Sequence, residues 1–446
     1  MSVLIIDGIY RMLEIIKSII KKIYWVLPLN NDKKRYLLDF IRSKGFLFLF
    51  NRKIDSDIYR LYALEILNSP RNLDFHSPLI PCANYISTPD SPKLIAYYLT
   101  QFHPTPENDL WWGKGVTEWN NVFRAVPQFV GHYQPRIPGE LGAYDLRLKE
   151  NIKRQVELAK MGGVYGFAFY YYWFDGETLL RGPLDLFMEN KDIDFPFMLC
   201  WANESWTKRF DGTSQDQLMV FSSDHNKNIN FIRDAKEYLL DDRYIRHDGM
   251  PVIQIYKPNN FDNIKSLIDV WRESAREEGI GEVHFMAVLF GDAYIIDWKS
   301  LGFVSANDFQ PGTLLSQSKL SRLNSHLNIV NEKFVGQVYQ YSDCVEKAIL
   351  REDVYPAVMP SWDNSARRID SGLIFHGASP EMYGKWLSKA VKHTIESPSL
   401  TGNFVFINAW NEWGEGAYLE PDKKYGYSYL NITRKVVSEF MVNVGQ

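Results

Sequence analysis

The chain has 446 residues and a formal net charge of −4. That length buries one large core plus a smaller accessory region, and balanced charge with no strongly basic domain excludes nucleic acid as the main partner. Three widely spaced cysteines, Cys82, Cys200 and Cys344, exclude a disulfide framework and a zinc site and fit a reducing compartment.

From residue 3 to residue 27 an apolar stretch is interrupted by Asp7, Arg11, Glu14, Lys17, Lys21 and Lys22. At about 100° per residue these charges share one arc of a helix, and Ile9, Met12, Leu13, Ile16, Ile19, Ile20 and Ile23 occupy the other. The pattern predicts neither a cleavable leader nor a spanning helix. A broad apolar face with a basic bias, ending in Tyr24-Trp25, suits the inner face of the cytoplasmic membrane; the same face would serve equally well packed on the protein's own body. Residues 1–68 read as a helical region. Residues 69–92, rich in Pro, Ser and Asn, read as a linker.

Beyond residue 92 apolar strands alternate with amphipathic helices. The predicted strands are 94–99, 166–173, 197–201, 252–256, 284–290, 304–308, 354–359 and 404–409. Helices are predicted over 146–161, 228–240, 264–278, 345–351, 380–395 and about 429–440. Alternating β and α segments imply a parallel sheet covered on both faces. Eight such units over 93–446 fit a (β/α)8 barrel with long loops. The competing doubly wound sheet is weakened because no Gly-rich phosphate loop follows the first strand.

In such a barrel the site lies at the carboxyl ends of the strands, and here those ends are unusual. The first leads from Tyr98 to His103 and then to Glu118-Trp119. The second ends in Tyr172-Trp173 and the third in Trp201, Asn203 and Glu204. The fourth carries Tyr256, the sixth Asp308 and the seventh Trp362-Asp363. The eighth runs into Trp410-Asn411-Glu412-Trp413-Gly414-Glu415. Aromatic content is high, at 15% with 13 Trp and 26 Tyr. Any one of these rings is more often core than ligand contact. Their coincidence at one rim points to sugar, since indole faces stack on pyranose rings and polar amides bond hydroxyls. Glu412 and Glu415 form the carboxylate pair that cleaves or forms glycosidic bonds; the plainer reading is a surface loop with two solvated glutamates. Residues i and i+3 of a straight strand face opposite ways, so the pair converges only if the chain breaks between them, as Gly414 permits. The histidines show no HExxH or HxH pairing and no DxD triad is present, so no metal ligand set and no cofactor is expected.

Three runs carry a family resemblance: Phe169-Tyr170-Tyr171-Tyr172-Trp173-Phe174-Asp175-Gly176, residues 195–206 through Cys200-Trp201-Ala202-Asn203-Glu204-Ser205-Trp206, and residues 409–422 from Ala409-Trp410 to Glu420-Pro421-Asp422. They resemble the WbsX-like family, described as glycosyltransferases and found with bacterial O-antigen and other polysaccharide genes. That family is similar in turn to the family-99 glycoside hydrolases, the endo-α-mannosidases and endo-α-mannanases. The resemblance spans about residues 93–440. It implies a (β/α)8 barrel acting with retention and without metal. On it, Glu412 assists the sugar's own 2-hydroxyl in forming a 1,2-anhydro intermediate, Glu415 is the general acid/base, and Tyr256 matches an active-site tyrosine. Gly414 stands where those hydrolases commonly have His, and Ala417-Tyr418 replaces another pair. These departures put mannoside specificity in doubt, and hydrolysis with it.

The expectation is therefore a carbohydrate-active enzyme of bacterial surface-polysaccharide assembly. A retaining glycosidase or transglycosylase leads. A glycosyltransferase using an activated or lipid-linked donor and a non-catalytic glycan-binding protein are the alternatives.

Overall fold

The computed structural model describes residues 91–207 and 217–442. The amphipathic segment, the helical region 1–68 and nearly all of the linker lie outside the described residues.

Eight buried apolar runs form the barrel strands: β1 (Lys93–Tyr98), β2 (Gly166–Phe174), β3 (Phe197–Trp201), β4 (Met250–Ile255), β5 (His284–Leu289), β6 (Ser305–Asp308), β7 (Ala357–Val358) and β8 (Phe404–Ile407). All pair in parallel, in the order β6-β5-β4-β3-β2-β1-β8-β7. A bridge between Asn307 and Tyr355 joins the two ends: Tyr355 N–H donates to the Ala306 carbonyl, and Asp308 N–H donates to the Tyr355 carbonyl, each at 2.9 Å. The sheet is thus a (β/α)8 barrel, with every predicted strand present.

The helices form where apolar residues recur at helical spacing. Along Ile264–Glu277 the buried residues are Ile264, Leu267, Ile268, Trp271 and Ala275, a stripe facing the sheet. The Asn263 side chain caps it by accepting from Ser266 N–H. Ser379 caps Pro380–Glu396 in the same way, with proline at the first helical position. Two helices depart from expectation. The stretch 228–240 is broken into Phe231–Asp234 and Lys236–Leu239, preceded by His225–Asn228. There the Asn228 carbonyl is taken by Trp271 Nε1, and its amide bonds Ser222 and Asp224 carbonyls. In place of 345–351 the helix is Ser342–Glu346; beyond it Gln317 bonds both backbone groups of Ile349, and Ser318 takes the Lys347 carbonyl. Side-chain partners have replaced the helical ladder in both places.

Strand alternation sorts the aromatics into two layers. Tyr97 points into the barrel, where its hydroxyl accepts from Gln254 of β4 and Asn307 of β6. Its neighbour Tyr98 points out and donates to Gln155 of the helix Lys149–Met161 at 2.7 Å. Trp173 and Trp201 likewise lie under the helical layer. Trp201 stacks on Phe231 with centroids 4.1 Å apart, packs against Trp271 and is 0% exposed. Trp201→Ala is therefore expected to cost about 3–5 kcal/mol of stability, read by chemical denaturation, with no separate loss of saccharide affinity in the protein that remains folded.

Candidate active site at the carboxyl end of the barrel

A cavity of about 510 Å³ opens at the carboxyl ends of the strands, and each of the eight strands or its following loop contributes to its wall. From β1 come Gln101, Asn108 and Trp112; from β2, Tyr170 and Tyr172; after β3, Glu204 and Trp206. Tyr256 follows β4, Phe290 β5 and Phe309 β6. Trp362 and Arg367 follow β7, and Asn408, Glu412 and Glu415 follow β8. Aromatic rings and carboxylates line it together.

The two glutamates reach one wall through local backbone structure. After β8, Asn411–Glu412 pairs antiparallel with Ala417–Tyr418. Between them Trp413–Glu415 makes one 3-10 turn, and Gly416 closes it at φ +60°. The chain does break between Glu412 and Glu415, but the left-handed residue is Gly416. Gly414 is required for space: a Cβ there would stand 1.9 Å from Glu118 Oε1 and 2.9 Å from Arg367 Nε.

Arg367 is the centre of the site. Its Nε bonds Glu118 Oε1 at 2.8 Å, its Nη2 bonds Glu412 Oε1 at 2.9 Å, and its Nη1 lies 3.0 Å from Glu415 Oε1. Glu118 is 0% exposed at the first position of the helix Glu118–Arg124, which Thr117 and Asn120 close with a capping box. Arg367 follows a short turn nucleated by Asp363, whose carboxylate accepts from Ser365 N–H. Burial pushes the Glu412 carboxyl well above the usual carboxylate range; Arg367 opposes this, and Glu415 and Glu118 add to it. Burial also raises Glu118, against the pull of Arg367.

Of the residues expected at the site, Tyr172, Glu204, Tyr256, Trp362, Glu412 and Glu415 line the cavity, and Glu118 touches it through Arg367. The others serve the scaffold. Tyr98, Trp173 and Trp201 face the helices because alternation turns them outward. Trp410 and Trp413 are 0% and 1% exposed, leaving no indole face for a sugar. Trp413 stacks on Tyr418 and donates to Glu420. Trp119 is buried against Phe102 and donates to the Tyr144 carbonyl. His103 is buried away from the cavity wall, and burial lowers its basicity. Asn203 fastens β3 to β4 by exchanging hydrogen bonds with the Lys257 backbone. Asp308 pairs with Arg351, and burial raises its carboxyl to about 6. Asp363 is held by His132 and Gln134. Asn411 bonds both backbone groups of Leu99, at 2.8 and 3.0 Å. Arg367, Tyr170, Trp112 and Trp206 also stand at the strand ends in the sequence, but they are not among the residues expected at the site. A cation was owed to so many buried carboxylates, and Tyr170 stands two residues before Tyr172 on the same strand face.

Glu420 anchors the turn from behind, accepting from Trp413, Gln155 and Tyr144 at 2.6, 2.7 and 3.0 Å. Burial raises its carboxyl to about 7, above the roughly 4.3 of an unfolded chain. The folded state therefore holds a proton that the unfolded state has lost between these values, so this contribution to stability falls as pH rises from about 4.3 to about 7. Glu420→Gln is expected to flatten that part of the stability–pH curve, measured by denaturant titration at a series of pH values.

Among the described residues no group of three or more His, Cys, Asp or Glu could hold a metal ion, and no helix is long and apolar enough to cross a membrane.

Comparison with known proteins places this geometry. An uncharacterised protein, WxcX, from Xanthomonas campestris pv. campestris strain B100 is 40% identical over 349 residues, covering 77% of this chain and 49% of the relative. A second strain of that pathovar, ATCC 33913, has a WxcX protein with the same identity and coverage. The chain spans about half the length of these curated relatives. Among solved structures, a GH99 endo-α-mannosidase from Bacteroides thetaiotaomicron overlaps 79% of this chain and 98% of its own, at 14% identity and TM-score 0.47. A glycoside hydrolase-like protein overlaps 81% and 97%, at 13% identity and TM-score 0.47. The family described as "Glycosyltransferase WbsX" matches residues 94–433. By the extent of that match, which takes in the barrel and both glutamates, the chain belongs to the WbsX glycosyltransferase family.

Proposed function

We propose that this protein is a carbohydrate-active enzyme that cleaves or transfers a glycosidic bond in bacterial surface-polysaccharide assembly, acting with retention and without metal. The observation that carries the reading is the meeting of Glu412 and Glu415 in one cavity that is also lined by Tyr170, Tyr172, Tyr256, Trp206 and Trp362. Two carboxylates bound to the two terminal nitrogens of one guanidinium are close enough to act on a single sugar. Trp362 and Gln101 line the same cavity, and their buried Nε1 and Nε2 have no protein acceptor among the described residues.

In this reading Glu412, buried and raised, assists attack at the anomeric carbon, and the more open Glu415 protonates and later deprotonates the leaving or entering oxygen. The substrate is an oligosaccharide or polysaccharide, in lipid-linked form if the chain works at the membrane face. The family's description favours a second reading, transfer from an activated donor. The two are separated by incubating the full-length protein with a panel of bacterial surface oligosaccharides, with and without acceptor. Free reducing sugar or exchanged glycan supports the first. Product only with an activated donor supports the second. Binding without turnover under either condition overturns both.

A further inference from the structure

We propose that Glu118 and Arg367 form a positioning pair, wedged between the β1 loop and the β8 turn, that sets the orientation of Glu412 and Glu415 and the charge of Glu412. The proposal concerns the same site and rests on the reading above only in calling those glutamates the working pair. It stands on three observations. Arg367 directs one nitrogen to each of three carboxylates, at 2.8, 2.9 and 3.0 Å. Those carboxylates come from two distant segments, the start of a helix after β1 and the turn after β8, so the guanidinium ties the segments together. The space a side chain at position 414 would fill is already occupied by Glu118 Oε1. Gly414 and Glu118 are thus two halves of one arrangement.

The pair's two members act on Glu412 with opposite sign. Arg367 favours the ionised carboxylate, while Glu118 and Glu415 disfavour it. Tyr172 lines the same cavity as Glu412 and stays a neutral phenol, raised mainly by burial and next by the charge of Glu412. A merely structural prop would not produce opposed electrostatic effects on removal.

The test is a 13C NMR titration of full-length protein labelled at the glutamate side-chain carboxyls, with Glu412 assigned by the signal lost in Glu412→Gln. Arg367→Gln is expected to move the Glu412 midpoint to higher pH, and Glu118→Gln to move it to lower pH. Arg367→Lys, which keeps the charge, is expected to stay nearer the wild-type midpoint than Arg367→Gln. If Arg367→Gln does not fold, Arg367→Lys and Glu118→Gln decide. Midpoints that move in the same direction in the two Gln variants, or that do not move, overturn the proposal. The titration needs no substrate, so it can fail while turnover is shown, or succeed while turnover is absent.

Discussion

Glu412→Gln and Glu415→Gln are each expected to lower turnover of a verified saccharide by roughly 10²–10⁴-fold, the usual worth of general acid–base assistance. Both changes are nearly isosteric, and both keep an oxygen facing Arg367, so the fold and saccharide binding should survive. The two variants are expected to differ in rescue. A substrate with a good leaving group needs less protonation as it departs, so it should restore part of the activity of Glu415→Gln. It should not restore Glu412→Gln, whose work lies on the attacking side. Steady-state rates on paired substrates with poor and good leaving groups read both effects. Wild-type turnover in both variants would sink the assignment and shift attention to Glu204, which shares the cavity wall and is paired with Lys257.

Gly414→Ala is expected to be among the most damaging small substitutions in the chain. The added methyl cannot coexist with Glu118 Oε1 at 1.9 Å. Either the 3-10 turn moves or the Glu118 carboxylate leaves Arg367 while still buried. Separating a buried ion pair in this way costs about 3–5 kcal/mol, measurable by chemical denaturation. The worst collision is with Glu118, so the cost should be non-additive: in a Glu118→Ala background, Gly414→Ala should add less, what remains being the 2.9 Å approach to Arg367 Nε. Simple additivity of the two losses would show that the methyl harms the protein by another route.

The barrel was legible because its signal is long and repeated. Eight apolar runs alternate with helical stripes, and the wrapped sheet is the architecture that buries both. The turn after β8 was legible from composition alone. The wall of the cavity was only half legible, and strand alternation explains which half. Tyr172 and Trp173 are adjacent and cannot both face the barrel interior; the same holds for Tyr97 and Tyr98. Choosing residues by type at a strand end mixed the two faces. Trp410 and Trp413 flank Glu412 in sequence, yet their rings turn inward as the packing that holds the turn. Arg367 stands just beyond the seventh strand end, but its role was out of reach of local pattern, because the partner that makes it meaningful, Glu118, lies 249 residues earlier.

The amide of Asn411 extends the barrel past the point where its main chain stops pairing. By bonding both backbone groups of Leu99, it adds one more rung to the seam between β8 and β1, made by a side chain. The glutamate-bearing turn is therefore chassis rather than accessory. Trp206, after β3, lines the same cavity and takes no part in that rung. Substitution at Trp206 is therefore expected to redraw part of the cavity lining and leave the acidic pair in its mounting, which makes that position a natural one for altering what the cavity accepts.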